Sequence, residues 1–101
     1  MFSWGIKIFA SDTHAIYSSE NKKLLNWGKE IIIGNHVWIC MDATILKNSR
    51  IPPNSIVGAS AVVAGNFQEE NSILAGNPAR VVKRQVHWDP MRPKDYKQGL
   101  K

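Results

Sequence analysis

The 101-residue chain has a single cysteine, Cys40, and lacks any long run of apolar residues. One thiol cannot form an internal disulfide, which fits the reducing conditions of the cytoplasm. No apolar stretch reaches the roughly 20 residues that a membrane-spanning helix needs, and no signal peptide is recognisable. We therefore expect a small cytoplasmic protein of one domain with no integral membrane segment.

Acidic residues are scarcer than basic ones. Thirteen Lys and Arg residues against eight Asp and Glu residues give a formal net charge of +5. Nucleic acid or an anionic cofactor could account for this excess. The basic residues are scattered, however, and they do not alternate with aromatic residues as they do in proteins that bind single-stranded nucleic acid. We therefore expect no nucleic-acid partner.

The chain does contain a six-residue hydrophobic period. From residue 33 an aliphatic side chain returns at every sixth position, and a mostly small residue follows four places later. Neither an α-helix nor a simple strand has this period. It predicts a solenoid of short parallel strands, with aliphatic residues stacked inside and small residues at the corners. The aliphatic positions are Ile33, Ile39, Ile45, Ile51, Val57 and Val63, and the second positions are Val37, Ala43, Ser49, Ser55, Ala61 and Phe67.

Three six-residue sides would close one coil, so residues 33–50 and 51–67 each predict one turn of the solenoid. Residues 14–30 break the period and are rich in polar side chains, which predicts a loop projecting from the scaffold. We expect a β-helical domain over residues 1–83 that carries loop 14–30. A polar tail with at most one short helix should follow over residues 84–101.

Five motifs cover most of residues 6–90: SDTHAIYS (11–18), IIIGNHVWI (31–39), ATILKNSRIPPNSIVGASAVV (43–63), NSILAGNPARVVK (71–83) and VHWDP (86–90). Together they resemble the C-terminal part of hexapeptide-repeat acyltransferases, in the branch that O-acetylates sugars and surface polysaccharides. The resemblance implies an all-β, left-handed parallel β-helix, acetyl-CoA as co-substrate and a homotrimer. The left hand follows from the resemblance alone, because general rules favour right-handed crossovers.

The resemblance assigns the catalytic base to His14, in the SDTH motif. Imidazole exchanges protons near neutral pH, so it can take the proton of a hydroxyl whose oxygen attacks a thioester. Asp12 could orient the imidazole ring, or it could simply shape the turn. Both His14 and Asp12 are therefore candidates for a catalytic role.

Two tryptophans are candidates for substrate binding. Trp38 stands at an outward position of its hexad, where an exposed indole could support a sugar ring or a pantetheine arm. It could equally pack against a neighbouring subunit. Trp4 could line the acceptor cleft, although packing in the core or at an interface is the simpler interpretation.

The three histidines are far apart in the sequence. His36 should face outward, where it could touch the acceptor or the cofactor, or be an ordinary surface histidine. His87 lies in the tail and is interpreted as structural. Because the chain has no close pair of histidines, we predict no zinc site.

Coenzyme A should lie along the solenoid, as the resemblance implies, against small residues that let it approach the backbone. Basic side chains would meet its phosphates. Each small residue could instead mark a tight corner, and each basic residue could be a solvated surface charge. Cys40 stands where the family usually has glycine and could narrow the cofactor cleft. The predicted contacts are Gly58, Ala59, Ser60, Ala75, Gly76, Pro78, Arg80 and Lys83.

These features predict an acetyl-CoA-dependent O-acetyltransferase acting on a hydroxyl of a saccharide or cell-surface polysaccharide. Phe2, Ile6 and Ile8 already have strand character, so we expect a chain shortened at its N-terminus, with trimer contacts supplying the missing burial. Two alternatives stay open. One is a different acceptor, such as an amino sugar or serine. The other is a truncated trimeric scaffold without catalysis.

Overall fold

Short parallel strands wind into a β-helix with three faces, as the six-residue period predicts. The helix is left-handed, as the resemblance implied. The computed structural model describes residues 1–12, 14–28 and 30–96. The strands are β1 Lys7–Phe9, β2 Ile32–Ile33, β3 Trp38–Ile39, β4 Thr44–Leu46, β5 Arg50–Ile51, β6 Ile56–Val57, β7 Val62–Val63, β8 Ile73–Gly76 and β9 Ala79–Lys83. Face 1 consists of β3, β6, β8 and β9, face 2 of β1, β4 and β7, and face 3 of β2 and β5.

The inward aliphatic residues stack from coil to coil. On face 3, Ile33 pairs with Ile51, which lies three hexads further along the chain. On face 1, Ile39, Val57 and Leu74 form one column and are fully buried. Burial of such a side chain contributes about 1.5–3 kcal/mol, so these columns are the main source of stability in a narrow solenoid. The predicted stacking is confirmed.

The corners depend on a backbone conformation that the sequence analysis missed. The residue just before each small corner residue has a positive φ, between 54° and 62°. Asn and Asp tolerate this left-handed region better than other non-glycine residues, which explains their recurrence at these places. The residues are His36, Asp42, Asn48, Asn54 and Ser60.

The small residues that follow fit inside the corner, and their hydroxyls are satisfied. Ser49 Oγ donates to the Val63 carbonyl at 3.1 Å, and Ser55 Oγ donates to the Pro53 carbonyl at 3.2 Å. Both serines are buried. A buried hydroxyl without a partner would cost stability, so these bonds allow serine to replace alanine at a corner.

Phe67 is a correction to the predicted repeat. We expected it at a corner, four places after Val63. Instead Asn66 pairs with Arg50, so Phe67 lies beside Ile51 and packs against the core. The stretch from Val63 to Phe67 is therefore shorter than a full hexad, and the Phe67 ring packs beside Ile51.

The chain leaves the solenoid between β1 on face 2 and β2 on face 3. Tyr17 pairs antiparallel with Leu24, and the Ser18 amide donates to the Lys23 carbonyl at 2.9 Å, so the middle of this segment is a hairpin. The exposed loop that we predicted therefore has its own local structure.

The last two strands of the β-helix run in opposite directions. β8 and β9 form an antiparallel hairpin that closes face 1. β9 ends at Lys83, the residue at which we predicted that the β-helical domain ends. The division of the chain into a domain over residues 1–83 and a tail over residues 84–101 stays a prediction. A 3₁₀ helix follows at Pro93–Asp95, and residues 97–101 of the predicted tail lie outside the described residues. In the described ranges, no helix has the length and apolar character to cross a membrane.

Candidate active site

His14 lies where the projecting segment leaves the solenoid, at the corner between faces 2 and 3. It is exposed and borders a pocket of about 180 Å³. Within the described residues, nothing hydrogen-bonds the imidazole ring, so both of its nitrogens are available to a ligand. The residues lining the pocket are Ser11, His14, Ala15, Leu24, Asn26 and Gly28.

The Asp12 carboxylate accepts hydrogen bonds from two side chains, one on the solenoid and one on the projecting hairpin. Its Oδ2 accepts from Lys47 Nζ at 2.7 Å and from Asn26 Nδ2 at 2.9 Å. The hydrogen bond from Lys47, helped by that from Asn26, keeps the pKa of the Asp12 carboxyl below its ordinary value. The Asp12 carbonyl accepts from the His14 amide at 2.9 Å. These contacts favour a turn-shaping role for Asp12 over direct contact with the imidazole ring.

Asn26 is a site residue that the sequence analysis did not identify. Its Nδ2 donates to the His14 carbonyl at 2.8 Å as well as to Asp12, and its Oδ1 accepts from the Ile16 amide at 2.7 Å. One side chain from the returning strand of the hairpin thus binds three groups around His14. Position 26 belongs to no repeat, so the sequence carries no signal for it.

Trp38 precedes the inward Ile39 in β3 and is half-buried, so its indole is less exposed than we predicted. Trp88 from the tail packs near it, with ring centroids 6.0 Å apart. The Trp38 Nε1–H is buried and has no acceptor among the described residues. A buried donor without a partner is uncommon in native proteins. An acceptor from a ligand or another chain would satisfy it.

His36 and Trp88 hold the tail against the solenoid. Their rings stack at 3.9 Å with an interplanar angle of 8°. Trp88 Nε1 donates to the His36 carbonyl at 2.9 Å, and His36 Nε2 lies 3.1 Å from the Trp88 carbonyl. These contacts favour a structural role for His36, and its predicted substrate contact stays a prediction. His87, which we interpreted as structural, lies with Nδ1 3.1 Å from Asn71 Nδ2.

Several of the predicted cofactor residues meet on face 1. The Gly58 amide donates to the Leu74 carbonyl at 2.7 Å, which brings Gly58 beside Ala75. Ala75 in turn pairs with Arg80 across the last hairpin. A Cβ added to Gly58 would lie 3.2 Å from the Ala75 Cβ, so a larger residue there would require the neighbouring coil to shift by a few tenths of an ångström.

The other predicted cofactor residues lie around the corner that ends face 1. Gly76 and Pro78 are exposed at the tip of the last hairpin, and Ala59 and Ser60 are exposed in the turn after β6. The Ser60 amide donates to the Met41 carbonyl at 3.0 Å. This corner therefore offers small residues and accessible backbone.

Basic side chains on β9 and just after it differ in whether an ion pair already occupies them. Arg84 Nε is 2.8 Å from Glu69 Oε1 and is therefore engaged in an ion pair. Arg80 and Lys83 are exposed and form no ion pair with any described residue. They are free to meet a phosphate group, whereas Arg84 would first have to leave its carboxylate.

The remaining predicted residues lie elsewhere. Trp4 is 71% exposed, and its carbonyl accepts from the Asp42 amide at 3.0 Å, at the corner between faces 1 and 2. Cys40 follows β3 and is partly buried, which raises the pKa of its thiol above the ordinary value. Among the residues described, no three His, Cys, Asp or Glu side chains are grouped closely enough to hold a metal ion.

Comparison with curated proteins finds polysaccharide O-acetyltransferases. The chain is 46% identical over 88 residues to a polysialic acid O-acetyltransferase of Neisseria meningitidis, covering 87% of this chain and 41% of the relative. It is 33% identical to the polysialic acid O-acetyltransferase of Escherichia coli O1:K1, covering 87% of this chain and 28% of that relative. No protein-family model matches. The chain thus spans less than half the length of these relatives.

Solved structures agree with this comparison. A crystallographic structure of a polysialic acid O-acetyltransferase matches with a TM-score of 0.86 and 42% identity, covering 91% of this chain and 44% of the other. A maltose O-acetyltransferase from Clostridium difficile matches with a TM-score of 0.71 and 24% identity, over 87% of this chain and 46% of the other. At that identity the second match supports the fold alone.

Proposed function

Because this chain belongs to the hexapeptide-repeat (left-handed β-helix) acyltransferases, in the branch that O-acetylates saccharides, we propose that it moves an acetyl group from acetyl-CoA to a saccharide hydroxyl. The observation that carries the proposal is His14: an exposed imidazole, free of hydrogen bonds within the described residues, bordering a pocket. That is the arrangement a general base needs, because the acceptor hydroxyl must come within hydrogen-bond distance of a ring nitrogen.

The reaction would run in one ternary complex. A ring nitrogen of His14 accepts the proton of the saccharide hydroxyl while the oxygen attacks the thioester carbonyl carbon. The new C–O bond forms, the C–S bond breaks, and the imidazolium returns its proton to the leaving thiolate of coenzyme A. The buried Trp38 Nε1–H, which lacks an acceptor among the described residues, is available to bind an oxygen of either substrate and so to hold it in position.

Coenzyme A would bind along face 1. Its thioester arm would follow Gly58 and Ala75, where small side chains leave the backbone accessible, and continue past the corner formed by Ser60 and Gly76. Arg80 and Lys83, exposed and without ion pairs in the described part of the chain, would neutralise its phosphates. Face 1 thus suits coenzyme A in two ways: its small residues leave room for the thioester arm, and its basic side chains match the charge of the phosphates.

A homotrimer would complete the site. In a three-sided coil the corner between faces 2 and 3, which carries His14, is opposite face 1, which carries Trp38 and Gly58. No described hydrogen bond or ring contact joins the two groups. His14 of one subunit and face 1 of its neighbour could meet across a three-fold interface, and cyclic symmetry is a common way to close such contacts. We further propose a cytoplasmic location, supported by the lone cysteine.

The acceptor is proposed to be a polysaccharide that carries negative charge. Two relatives are named for polysialic acid, a polymer of carboxylated sugars, and this chain has a net charge of +5. Positive charge on a protein raises the local concentration of an anionic polymer, and salt weakens that effect.

The test is acetyl-CoA-dependent thiol release with a panel of anionic polysaccharides, neutral oligosaccharides, amino-sugar nucleotides and serine. We expect turnover with an anionic polysaccharide and a loss of about 100-fold or more in His14→Ala, the range for removal of a general base. His87→Ala is the matched control, since His87 is an exposed histidine of the tail, and it should keep wild-type turnover.

Other outcomes would support the alternatives. N-acetylated product from an amino sugar, or O-acetylserine, would name a different acceptor. A folded trimer that binds acetyl-CoA without turnover for any acceptor would contradict the proposal and favour a scaffold. Equal activity in His14→Ala and His87→Ala would remove His14 from the reaction.

A further inference from the structure

We infer that Asn26 is a positioning residue that fixes His14 for proton transfer, acting from the opposite strand of the hairpin. This inference rests on the proposed function. Asn26 Nδ2 donates to the His14 carbonyl at 2.8 Å and to Asp12 Oδ2 at 2.9 Å, while its Oδ1 accepts from the Ile16 amide at 2.7 Å. Two of these bonds reach the backbone, at the His14 carbonyl and the Ile16 amide, and the third reaches the side chain of Asp12 on the other side of His14.

The orientation of the Asn26 amide follows from its neighbours. The Ile16 amide can only donate, so it must face the side-chain oxygen. The Asp12 carboxylate and the His14 carbonyl can only accept, so both must face the NH₂ group. An asparagine satisfies all three at once. Aspartate has nearly the same shape, yet it would turn an acceptor toward two acceptors.

Lys47 connects this cluster to the rigid part of the fold. It follows β4, whose Ile45 is fully buried in the core, and its Nζ reaches Asp12 Oδ2 at 2.7 Å. Asp12 therefore receives one donor from the solenoid and one from the hairpin. Through Asp12 and Asn26, the segment carrying His14 is linked to a coil that cannot move without disturbing the core.

Positioning matters because the segment around His14 has little apolar burial of its own. His14, Ala15 and Ile16 are all exposed. A loop without a packed core is held mainly by its hydrogen bonds. A displacement of about 1 Å at a catalytic group can cost about 100-fold in rate, so loss of the Asn26 bonds should appear in the chemical step.

Asn21 provides a matched control in the same hairpin. Its Oδ1 accepts from the Lys23 amide at 3.0 Å, and within the described residues its NH₂ group has no acceptor. Aspartate at position 21 keeps that acceptor oxygen. Asn21→Asp therefore makes the same chemical and charge change as Asn26→Asp without removing a donor that is in use.

The experiment compares kcat and KM of wild type, Asn26→Asp and Asn21→Asp with acetyl-CoA and a polysaccharide acceptor. We expect kcat to fall about 10-fold or more in Asn26→Asp. The KM for acetyl-CoA should stay within about twofold, because face 1 is untouched. Asn21→Asp should match wild type. A kcat for Asn26→Asp within about twofold of that for Asn21→Asp would overturn the inference.

A second measurement separates this inference from the proposed function. Amide hydrogen exchange at His14 and Ile16 is followed in Asn26→Ala and Asn21→Ala. Faster exchange in Asn26→Ala alone supports the positioning role even if wild type transfers acetyl to none of the acceptors tested, an outcome that contradicts only the proposed function. Unchanged exchange in Asn26→Ala would overturn the positioning role whatever the turnover.

Discussion

The cost of removing an inward aliphatic side chain should depend on how completely adjacent coils cover it. Ile8 and Ile45 are direct partners in the parallel pairing of face 2. Ile45 is fully buried, whereas Ile8, on the edge strand, is 46% exposed. The two sites share residue type, face and column. Ile8→Ala and Ile45→Ala therefore form a matched pair that differs mainly in burial.

The magnitudes follow from that difference. Replacing isoleucine with alanine removes three carbon atoms, and at about 0.8 kcal/mol for each the transfer cost at Ile45 is about 2.4 kcal/mol. The cavity left among buried neighbours adds up to about 2 kcal/mol. We therefore expect Ile45→Ala to lower the free energy of unfolding by about 3–4 kcal/mol. Ile8→Ala should cost only about 1 kcal/mol, because half of the side chain already faces water.

Urea unfolding followed by circular dichroism measures both losses from the midpoint and slope of the transition. All proteins are compared at one concentration, so that any association contributes equally. If Ile8→Ala costs as much as Ile45→Ala, coverage by the described coils does not set the stability of a column, and the reasoning fails.

Two further predictions concern single contacts. Gly34→Ala would bring a Cβ to 2.6 Å from the Pro53 nitrogen. We therefore expect thermal denaturation to show that the free energy of unfolding falls by at least about 1 kcal/mol. Gly65→Ala is the control, because a Cβ at Gly65 would make only an ordinary van der Waals contact. Lys47→Met should raise the pKa of Asp12 toward 3.8, because its main cause of lowering is removed. Because the pKa of Asp12 is lowered on folding, its ionised carboxylate stabilises the folded state at pH values above the ordinary pKa. This stabilisation is lost as the pH falls through the folded-state pKa. In Lys47→Met, the loss of folding stability at acidic pH should therefore be smaller. If carboxyl ¹³C titration finds the same Asp12 pKa in Lys47→Met as in wild type, Lys47 is not the main cause of the lowering.

The regular part of the fold could be predicted because every coil repeats one environment. Ile39 and Val57 occupy equivalent positions, so the same demand for an aliphatic side chain appears repeatedly in the sequence. Ser49 and Ser55 were predicted at corners for the same reason. The prediction was wrong at Phe67, where the chain shortens, because a period carries no information about the place at which it ends.

The site was predictable only in part. Residue His14 was identified through a resemblance, since one histidine in an irregular segment has no pattern of its own. Stacking of Trp88 on His36 could not be predicted, because it joins residues far apart in the chain through a tail whose path follows no repeat. The same holds for the bond between Lys47 and Asp12.

The two kinds of order in this molecule have different physical origins. Columns such as Ile39, Val57 and Leu74 exclude water and need no polar partner, and each added coil extends them by the same interaction. The segment with His14 projects from the solenoid and cannot join such a column, so its shape depends on directional bonds, three of which are made by Asn26. Apolar burial tolerates exchange among similar side chains, whereas a donor facing two acceptors does not. Substitutions in the columns should therefore change stability gradually, while a single change at Asn26 should lower the rate and leave the fold intact.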